Sequence, residues 1–142
     1  MYGVQGECMG NSFIVSKLYE ESLDINKLNN FFESQLFDKI ITSDKYIKEC
    51  RFVSQLNVSE IDPNIVSDQT TVIDGVADLV VFKDGKITII DFKTDRVDNE
   101  QQLVERYSKQ LDLYAKSFET IYKCQVENKI IYSFYLSKSV QV

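Results

Sequence analysis

Residues 70–93 constrain the fold more than any other stretch, because two runs of alternating β-branched and aromatic residues flank Asp84-Gly85. An Asp-Gly pair between two such runs is typical of a β-hairpin with a two-residue turn. With Asp84-Gly85 as the loop, Lys83 pairs with Lys86, and the register of every other pair is then fixed. The sequence therefore predicts a long hairpin with a defined register.

The predicted register places two aspartates opposite each other, Asp78 on one strand and Asp91 on the other. Because strand side chains alternate, both project with Lys93 from the same face as the apolar residues of the hairpin. Opposed carboxylates have Cβ atoms roughly 4.5–5.5 Å apart and repel each other; protonation of one or a cation that neutralises both relieves this repulsion. A hard cation such as Mg²⁺ prefers oxygen ligands, and two carboxylates with a lysine around a metal suit phosphodiester hydrolysis. A hairpin whose charges are only solvated is the alternative.

Further motifs stand in a fixed order around the hairpin. They are the helical stretch Leu28–Leu36, an E-x-x-F pattern within Tyr46–Phe52, Gly75–Asp78, Asp91–Asp95 and the pair Gln110 and Tyr114. In this order they resemble the RecB-type branch of the PD-(D/E)xK nucleases, and within it the AddA-type nuclease domains of bacterial helicase–nucleases. The resemblance covers roughly residues 24–137. It implies a mixed α/β (α+β) fold, a restriction-endonuclease-like core in which helices flank a mixed β-sheet.

The resemblance also assigns roles to residues of the hairpin. It implies that Asp78 and Asp91 bind Mg²⁺ or Mn²⁺ and that the backbone carbonyl of Phe92 is a further ligand. Lys93 would orient the attacking water or stabilise the charge that develops on the scissile phosphate.

Three other candidate site residues have two interpretations each. Glu49, the glutamate of the E-x-x-F pattern, approaches the metal or braces the site; a surface glutamate paired with Arg51 is the alternative. Gln110 and Tyr114 lie four residues apart on one face of a predicted helix. The resemblance implies that they line the active-site cleft and position the lysine or the DNA backbone; otherwise Tyr114 is a core residue with Gln110 at its boundary.

Two features depart from the family pattern. The chain has no histidine, whereas RecB-type nucleases usually place a metal-binding histidine on an upstream helix. We therefore expect residues 1–142 to be a single domain that is a fragment lacking this helix, with weak or absent activity in isolation. The three cysteines, Cys8, Cys50 and Cys124, are widely spaced, unlike the cysteines of relatives that hold an iron–sulfur cluster. We expect no such cluster.

Composition limits the classes of function. Hydrophobic residues make up 44% of the 142 residues, and there is only one proline, which suits one compact domain. No apolar run approaches the length of a membrane span, and we expect a cytoplasmic protein without membrane association. The net charge of −6 disfavours a free-standing DNA-binding module. It is compatible with a nuclease domain to which a larger protein delivers DNA.

The resemblance implies a Mg²⁺-dependent deoxyribonuclease, an exonuclease domain of an ATP-dependent helicase–nuclease that acts in double-strand break repair and recombination. The expected partners are DNA ends, the helicase portion of the same polypeptide and an AddB-like protein. No G-x-x-x-x-G-K-[ST] loop occurs, so this chain does not hydrolyse ATP by that route. A non-catalytic interaction or DNA-binding domain of nuclease fold is the alternative. The two hypotheses differ in whether metal binding depends on Asp78 and Asp91.

The remaining patterns predict the elements around the hairpin. A helix from about Lys27 to Thr42, with Asp24 or Asn26 as N-cap, has a buried stripe of Leu28, Phe31, Phe32, Leu36, Ile40 and Ile41. We also predict an irregular lead-in over residues 1–12, a short helix at Phe13–Glu21, a strand at Tyr46–Leu56 with Ile47, Glu49, Arg51 and Val53 on one face, loops at Val58–Asp68 and Thr94–Asn99, a helix at Glu100–Tyr122 and a final strand at Lys129–Leu136.

Overall fold

The computed structural model describes residues 3–7, as backbone, and residues 24–142. The described strands are β1 (Gly3–Glu7), β2 (Lys45–Asn57), β3 (Thr70–Lys83), β4 (Lys86–Lys93), β5 (Val126–Ser133) and β6 (Lys138–Gln141). The described helices are α1 (Ile25–Phe32), α2 (Gln35–Ile41), the single turn α3 (Val58–Ile61) and the long helix α4 (Glu100–Tyr122). None of these helices is long and apolar enough to cross a membrane.

The six described strands form one sheet in the order β1-β2-β3-β4-β5-β6. All neighbouring strands are antiparallel except β4 and β5, which are parallel. A parallel pair needs a crossover connection, and here the 23-residue helix α4 provides it. The predicted mixed sheet flanked by helices is therefore confirmed.

The predicted hairpin is confirmed, and its register matches up to Leu79. Lys83 pairs with Lys86 and Leu79 pairs with Ile90, which is the last pair of the β3–β4 ladder. The turn residues Asp84 and Gly85 have φ values of 52° and 73°, as a type I′ turn requires. The predicted Asp78–Asp91 position follows directly after the end of this ladder.

The sheet buries a different core on each of its two faces. Helix α4 covers one face, hereafter the long-helix face, where Val80, Ile87 and Ile89 pack against Leu111 and Phe118. Helices α1 and α2 cover the other face, hereafter the short-helix face, where aromatic rings pack together with aliphatic side chains. They include Phe31, Leu79, Ile90, Tyr132 and Phe134.

The single helix predicted from Lys27 to Thr42 is wrong, because the chain forms two helices separated at residues 33–34. The hydroxyl of Ser34 donates to the Phe31 carbonyl oxygen at 2.6 Å and accepts from the Phe37 amide at 3.2 Å. Ser34 thus caps a new helix in the middle of the predicted one. Asp24 is the N-cap of α1, as predicted, but Ile41 is exposed rather than part of the buried stripe.

Strand β2 lies where predicted, but its predicted face pattern is wrong. Ile47 and Cys50, which are three residues apart, both lie in the core of the long-helix face, whereas a regular strand would place them on opposite faces. The strand changes face at Glu49, a non-glycine residue with a φ of 45°. Left-handed backbone at such a residue costs about 1–2 kcal/mol.

The ends of the sheet account for the other differences. Residues 3–7 form strand β1 against β2 rather than an irregular lead-in. The predicted loop at Val58–Asp68 begins with the single turn α3, and the predicted last strand ends at Ser133, followed by the additional strand β6. The predicted short helix at Phe13–Glu21 and Cys8 lie outside the described residues. The loop at Thr94–Asn99 and the helix at Glu100–Tyr122 are confirmed.

Candidate active site

Asp78 lies where regular pairing of its strand is interrupted on both sides. On the side that faces β4, the last paired residue of β3 is Leu79, which follows Asp78 in the sequence. Toward β2, the register passes from the Lys48–Leu79 pair to the Cys50–Ala77 pair and skips Glu49 and Asp78. Phe92 of β4 is not part of the β3–β4 ladder. Its N–H donates instead to the side chain of Asp78, at 2.9 Å from Oδ2.

Asp91 and Lys93 form an ion pair on β4 next to Asp78. Lys93 Nζ lies 2.9 Å from Asp91 Oδ2, and Asp91 is a buried residue. Burial by itself lowers the pKa of Lys93, but the charge and hydrogen bond of Asp91, with smaller contributions from Tyr107 and Asp78, raise it above its ordinary value. Lys93 is therefore protonated at neutral pH.

Phe92 is anchored on the face of the sheet opposite to that ion pair. Its ring packs edge-on against Phe31 at a centroid distance of 5.4 Å and lies 5.8 Å from Phe134. The Lys93 carbonyl accepts from the Phe134 amide on β5. Because N–H and C=O groups alternate in direction along a strand, the carbonyl of Phe92 faces β3, on the same side as its amide. The backbone carbonyl predicted as a ligand thus faces the strand that carries Asp78.

The donor set at this position suits a hard divalent cation. Two carboxylates and a backbone carbonyl are all oxygen donors, and Mg²⁺ is commonly bound through one or two carboxylates with water completing its shell. Among the described residues no group of three or more histidine, cysteine, aspartate or glutamate side chains converges. A cation here would therefore rely on Asp78, Asp91, the Phe92 carbonyl and non-protein ligands.

Glu49 is next to Asp78 along the sheet but its side chain is exposed. The two residues occupy the skipped position of the β2–β3 ladder, and both strands change face there, since Ala77 and Val80 also share the long-helix core. The alternative ion pair between Glu49 and Arg51 does not occur among the ion pairs of the described residues. Glu49 thus marks the bend that redirects Asp78.

Gln110 and Tyr114 contact each other on helix α4, as their spacing predicts. Gln110 Nε2 donates to the Tyr114 hydroxyl at 3.0 Å. The Tyr114 ring packs edge-on against Phe52 of β2, with centroids 4.9 Å apart, and an added Cβ on Gly75 would lie 3.0 Å from it. The pair thus lies beside the Gly75 end of the motif.

Lys93 contacts Tyr107, which is linked in turn to Asp95 and Arg106, and the motifs assign no role to these three residues. Lys93 Nζ lies 4.2 Å from the centroid of the Tyr107 ring. The Tyr107 hydroxyl donates to Asp95 Oδ2 at 2.6 Å, and Arg106 Nη1 lies 3.3 Å from the same oxygen. In the sequence Tyr107 resembles a member of the apolar helix stripe, and its spacing of three residues before Gln110 is the one signal that could have identified it.

A cavity of about 280 Å³ lies on the short-helix face, apart from the candidate site. Its apolar wall includes Leu36, Ile40 and Ile90, and its rim includes Lys86 and Glu127, which form an ion pair. None of the candidate site residues lines this cavity, so it is separate from Asp78, Asp91 and Lys93.

The chain is similar to several curated proteins named as subunits of an ATP-dependent helicase/nuclease. It is 26% identical over 91% of its length to the protein of Clostridium acetobutylicum. It is 32% identical over 92% of its length to that of Ligilactobacillus salivarius, and 33% identical over 88% to that of Clostridium beijerinckii. In each case the chain spans only 11% of the relative's length.

The sequence model of the PD-(D/E)XK nuclease superfamily matches residues 27–138. The match contains the whole hairpin, helix α4 and strand β5, and therefore every element that positions Asp78, Asp91 and Lys93. The mixed sheet and its flanking helices agree with the fold that the motifs predicted. On this evidence the chain belongs to the PD-(D/E)XK nuclease superfamily.

Proposed function

We propose that the chain is the catalytic nuclease domain of a longer AddA-like helicase–nuclease and hydrolyses DNA phosphodiester bonds with Mg²⁺ or Mn²⁺. The observation that carries this proposal is the meeting of Asp78, Asp91 and Lys93 at the end of the β3–β4 ladder. The names of the relatives include both a helicase and a nuclease activity. A helicase portion of the same polypeptide, an AddB-like partner and a cytoplasmic role in repair and recombination at DNA ends belong to the same proposal.

The role of each residue in the proposal follows from its position. Asp78, Asp91 and the Phe92 carbonyl would hold the cation, which when bound polarises a phosphoryl oxygen and lowers the pKa of a bound water. The Lys93 ammonium, kept protonated by Asp91, would offer positive charge to the phosphate oxygens on which negative charge develops.

Gln110 and Tyr114 would act on the substrate rather than on the cation, whereas Glu49 would act through the backbone. Gln110 and Tyr114 carry an amide and a hydroxyl on helix α4 and would contact the DNA backbone. Glu49 would contribute through the bend at the skipped position of the β2–β3 ladder, where it lies across from Asp78.

Calorimetric titration with Mn²⁺ tests the proposed metal site. We expect saturable heat from the wild-type chain and its loss in Asp78→Asn and in Asp91→Asn. Asp74→Asn is the matched control, because Asp74 is an exposed carboxylate on the same strand as Asp78. Equal heats from wild type and Asp91→Asn would contradict the proposal.

DNA cleavage then separates the proposed activity from metal binding alone. Linear and covalently closed circular duplexes, each with Mg²⁺, distinguish an exonuclease, which requires an end, from an endonuclease. Because we expect the isolated chain to cleave weakly or not at all, the assay uses the longer helicase–nuclease of the proposal. In that protein we expect degradation of the linear duplex only, and its loss in Lys93→Ala. Cleavage that is undiminished in Lys93→Ala would contradict the role given to this residue.

A non-catalytic interaction domain of nuclease fold is the second candidate. It is favoured by the small number of converging ligand side chains among the described residues and by the net charge of −6. Under this hypothesis neither Mn²⁺ heat nor DNA cleavage is observed, and replacement of Asp78 and Asp91 leaves binding of a partner protein unchanged.

A further inference from the structure

Tyr107 links the lysine of the candidate site to a second carboxylate. The ammonium of Lys93 lies over the Tyr107 ring, 4.2 Å from its centroid, well within the range of an attractive cation–π contact. The hydroxyl at the other end of the same ring donates to Asp95 at 2.6 Å. One side chain on helix α4 therefore contacts both the third and the fifth residue of the Asp91–Asp95 motif.

The Tyr107 ring packs against the core of the long-helix face, and its hydroxyl is held by a polar contact. Asp95 accepts from the Tyr107 hydroxyl and also pairs with Arg106, the preceding residue of the helix, at 3.3 Å. This hydrogen bond is the main reason why the pKa of Tyr107 is raised, with burial and the charge of Asp95 adding to it. The loop after β4 is thus tied to helix α4, and the ring is held beneath the ammonium.

The two partners of Lys93 differ in how they respond to a divalent cation. Asp91 lies 2.9 Å from the ammonium and is also a proposed ligand, so a cation bound there would compete with Lys93 for the same carboxylate. The face of an aromatic ring attracts an ammonium but is not an oxygen ligand for Mg²⁺. Of the two contacts, only the one with Tyr107 is unaffected by such competition.

We propose that Tyr107, braced by Asp95, is a positioning residue that holds the Lys93 ammonium at the reacting phosphate independently of the Asp91 ion pair. The catalytic meaning of this inference rests on the proposed nuclease function, whereas its geometry does not. Tyr107 contacts the lysine rather than the substrate, and its hydroxyl is already engaged by Asp95.

Nuclear magnetic resonance of the chain with ¹³C-labelled lysine tests the geometry without any activity. The ring current of Tyr107 should place the Lys93 ε-methylene signal upfield of those of the other lysines, and Lys93→Arg identifies that signal. Lys27, whose Nζ is 5.7 Å from the exposed Tyr135 ring, serves as an internal control with a smaller shift. We expect the upfield shift of Lys93 to be reduced but still present in Tyr107→Phe and Asp95→Asn. It should vanish in Tyr107→Leu.

Addition of Mg²⁺, which is diamagnetic, tests the independence from Asp91. The upfield Lys93 signal should remain on saturation with Mg²⁺. A wild-type Lys93 signal among those of the other lysines, or one unchanged in Tyr107→Leu, would overturn the inference whatever the metal does. An upfield signal in a chain that binds no metal would instead support the contact between Lys93 and Tyr107 and contradict the proposed function.

Cleavage kinetics measure the contribution to catalysis. A cation–π contact of about 0.5–2 kcal/mol corresponds to about 2- to 30-fold in rate. We therefore expect Tyr107→Leu to lower kcat within that range with KM and Mn²⁺ affinity nearly unchanged, and Tyr107→Phe to lower kcat less. A loss of Mn²⁺ affinity equal to that of Asp91→Asn would show that Tyr107 supports the fold of the site rather than the lysine.

Discussion

The two faces of the sheet are stabilised by different kinds of contact. On the short-helix face, Phe31 packs against five other aromatic rings at centroid distances between 4.9 and 5.8 Å. On the long-helix face, the apolar core includes groups with directional bonds or titratable protons, such as Cys50 and the buried Ser54–Ser117 hydrogen bond. The candidate site lies at the edge of this second core.

Strand β4 connects the two faces through alternate residues. Asp91 and Lys93 form the ion pair of the candidate site, whereas Phe92 between them is packed among the rings of the short-helix face. The apolar face thus anchors the strand whose other face carries the charges of the candidate site. Substitutions on the short-helix face should therefore act mainly on stability, and substitutions near the site on charge and positioning.

The largest expected effect is that of Phe31→Ala, which removes the ring at the centre of the aromatic face. Phe31 is fully buried, and truncation of such a residue costs about 3–5 kcal/mol in free energy of unfolding. Urea denaturation measures the loss. Ile25→Ala in the same helix is the control, since Ile25 is 69% exposed and should change stability by no more than about 0.5 kcal/mol. Similar losses for both variants would contradict the distinction between the two faces.

The next effect is the pH dependence that Cys50 contributes from the core of the long-helix face. Burial raises the pKa of Cys50 from 9.0 to about 11, although a hydrogen bond from Tyr122 and the charge of Lys45 oppose the rise. As the pH rises from 9 to 11, the unfolded chain loses the thiol proton that the folded chain keeps. The contribution of Cys50 is therefore complete below pH 9, and about 2–3 kcal/mol is lost by pH 11.

Urea denaturation between pH 8 and 11 measures this slope. Burial raises the pKa of Tyr122 to about 12, and the charge and hydrogen bond of Cys50 add to this rise. Cys50→Ala removes that addition, so the Tyr122 contribution weakens in the same direction as the loss of the thiol. We expect a flatter profile for Cys50→Ala and a smaller change for Cys124→Ala, because Cys124 is only partly buried and contributes less than Cys50 to the raised pKa of Tyr122. Parallel profiles for wild type and Cys50→Ala would show that the thiol does not titrate as its burial requires.

Local patterns in the sequence were sufficient to predict the hairpin and the long helix. Asp84-Gly85 fixes the turn, and each pair from Lys83–Lys86 to Leu79–Ile90 follows from it. Alternation also predicted that Asp91 and Lys93 share one face of β4, because this requires only a regular strand. Asp78, in contrast, lies where the pairing of β3 is interrupted. The motif resemblance predicted the mixed sheet, which periodicity alone does not determine.

Irregular backbone and side-chain bonds between distant residues could not be predicted in the same way. The left-handed residue Glu49 shifts the face of β2, and no sequence pattern distinguishes it from a regular strand residue. Ser34 is compatible with a helix interior until its hydroxyl bonds the Phe31 carbonyl. The contact of Lys93 with Tyr107 joins β4 to helix α4, and apolar periodicity describes Tyr107 only as a core residue.

The smallest expected effect concerns Gly75, which lets helix α4 approach the sheet closely. An added Cβ would lie 2.9 Å from Phe52 Cζ and 3.0 Å from Tyr114 Cε1. Phe52 is buried and has Phe118 as a further neighbour, at a centroid distance of 4.8 Å, so it cannot move away freely. Gly75→Ala should therefore destabilise the chain by about 1–3 kcal/mol through overpacking.

The same substitution also tests whether the glycine positions the Gln110–Tyr114 pair. If the added methyl group pushes the Tyr114 ring away, the hydrogen bond from Gln110 at 3.0 Å is lost, and the Tyr114 resonances shift. Phe52→Leu removes one of the two clashing rings, so the double variant should recover part of the stability that Gly75→Ala loses. Val76→Ala is the control, because Val76 is 39% exposed. A Gly75→Ala variant as stable as Val76→Ala would mean that helix α4 moves away from the added methyl group without loss of stability. The long-helix face would then be loosely packed at Gly75.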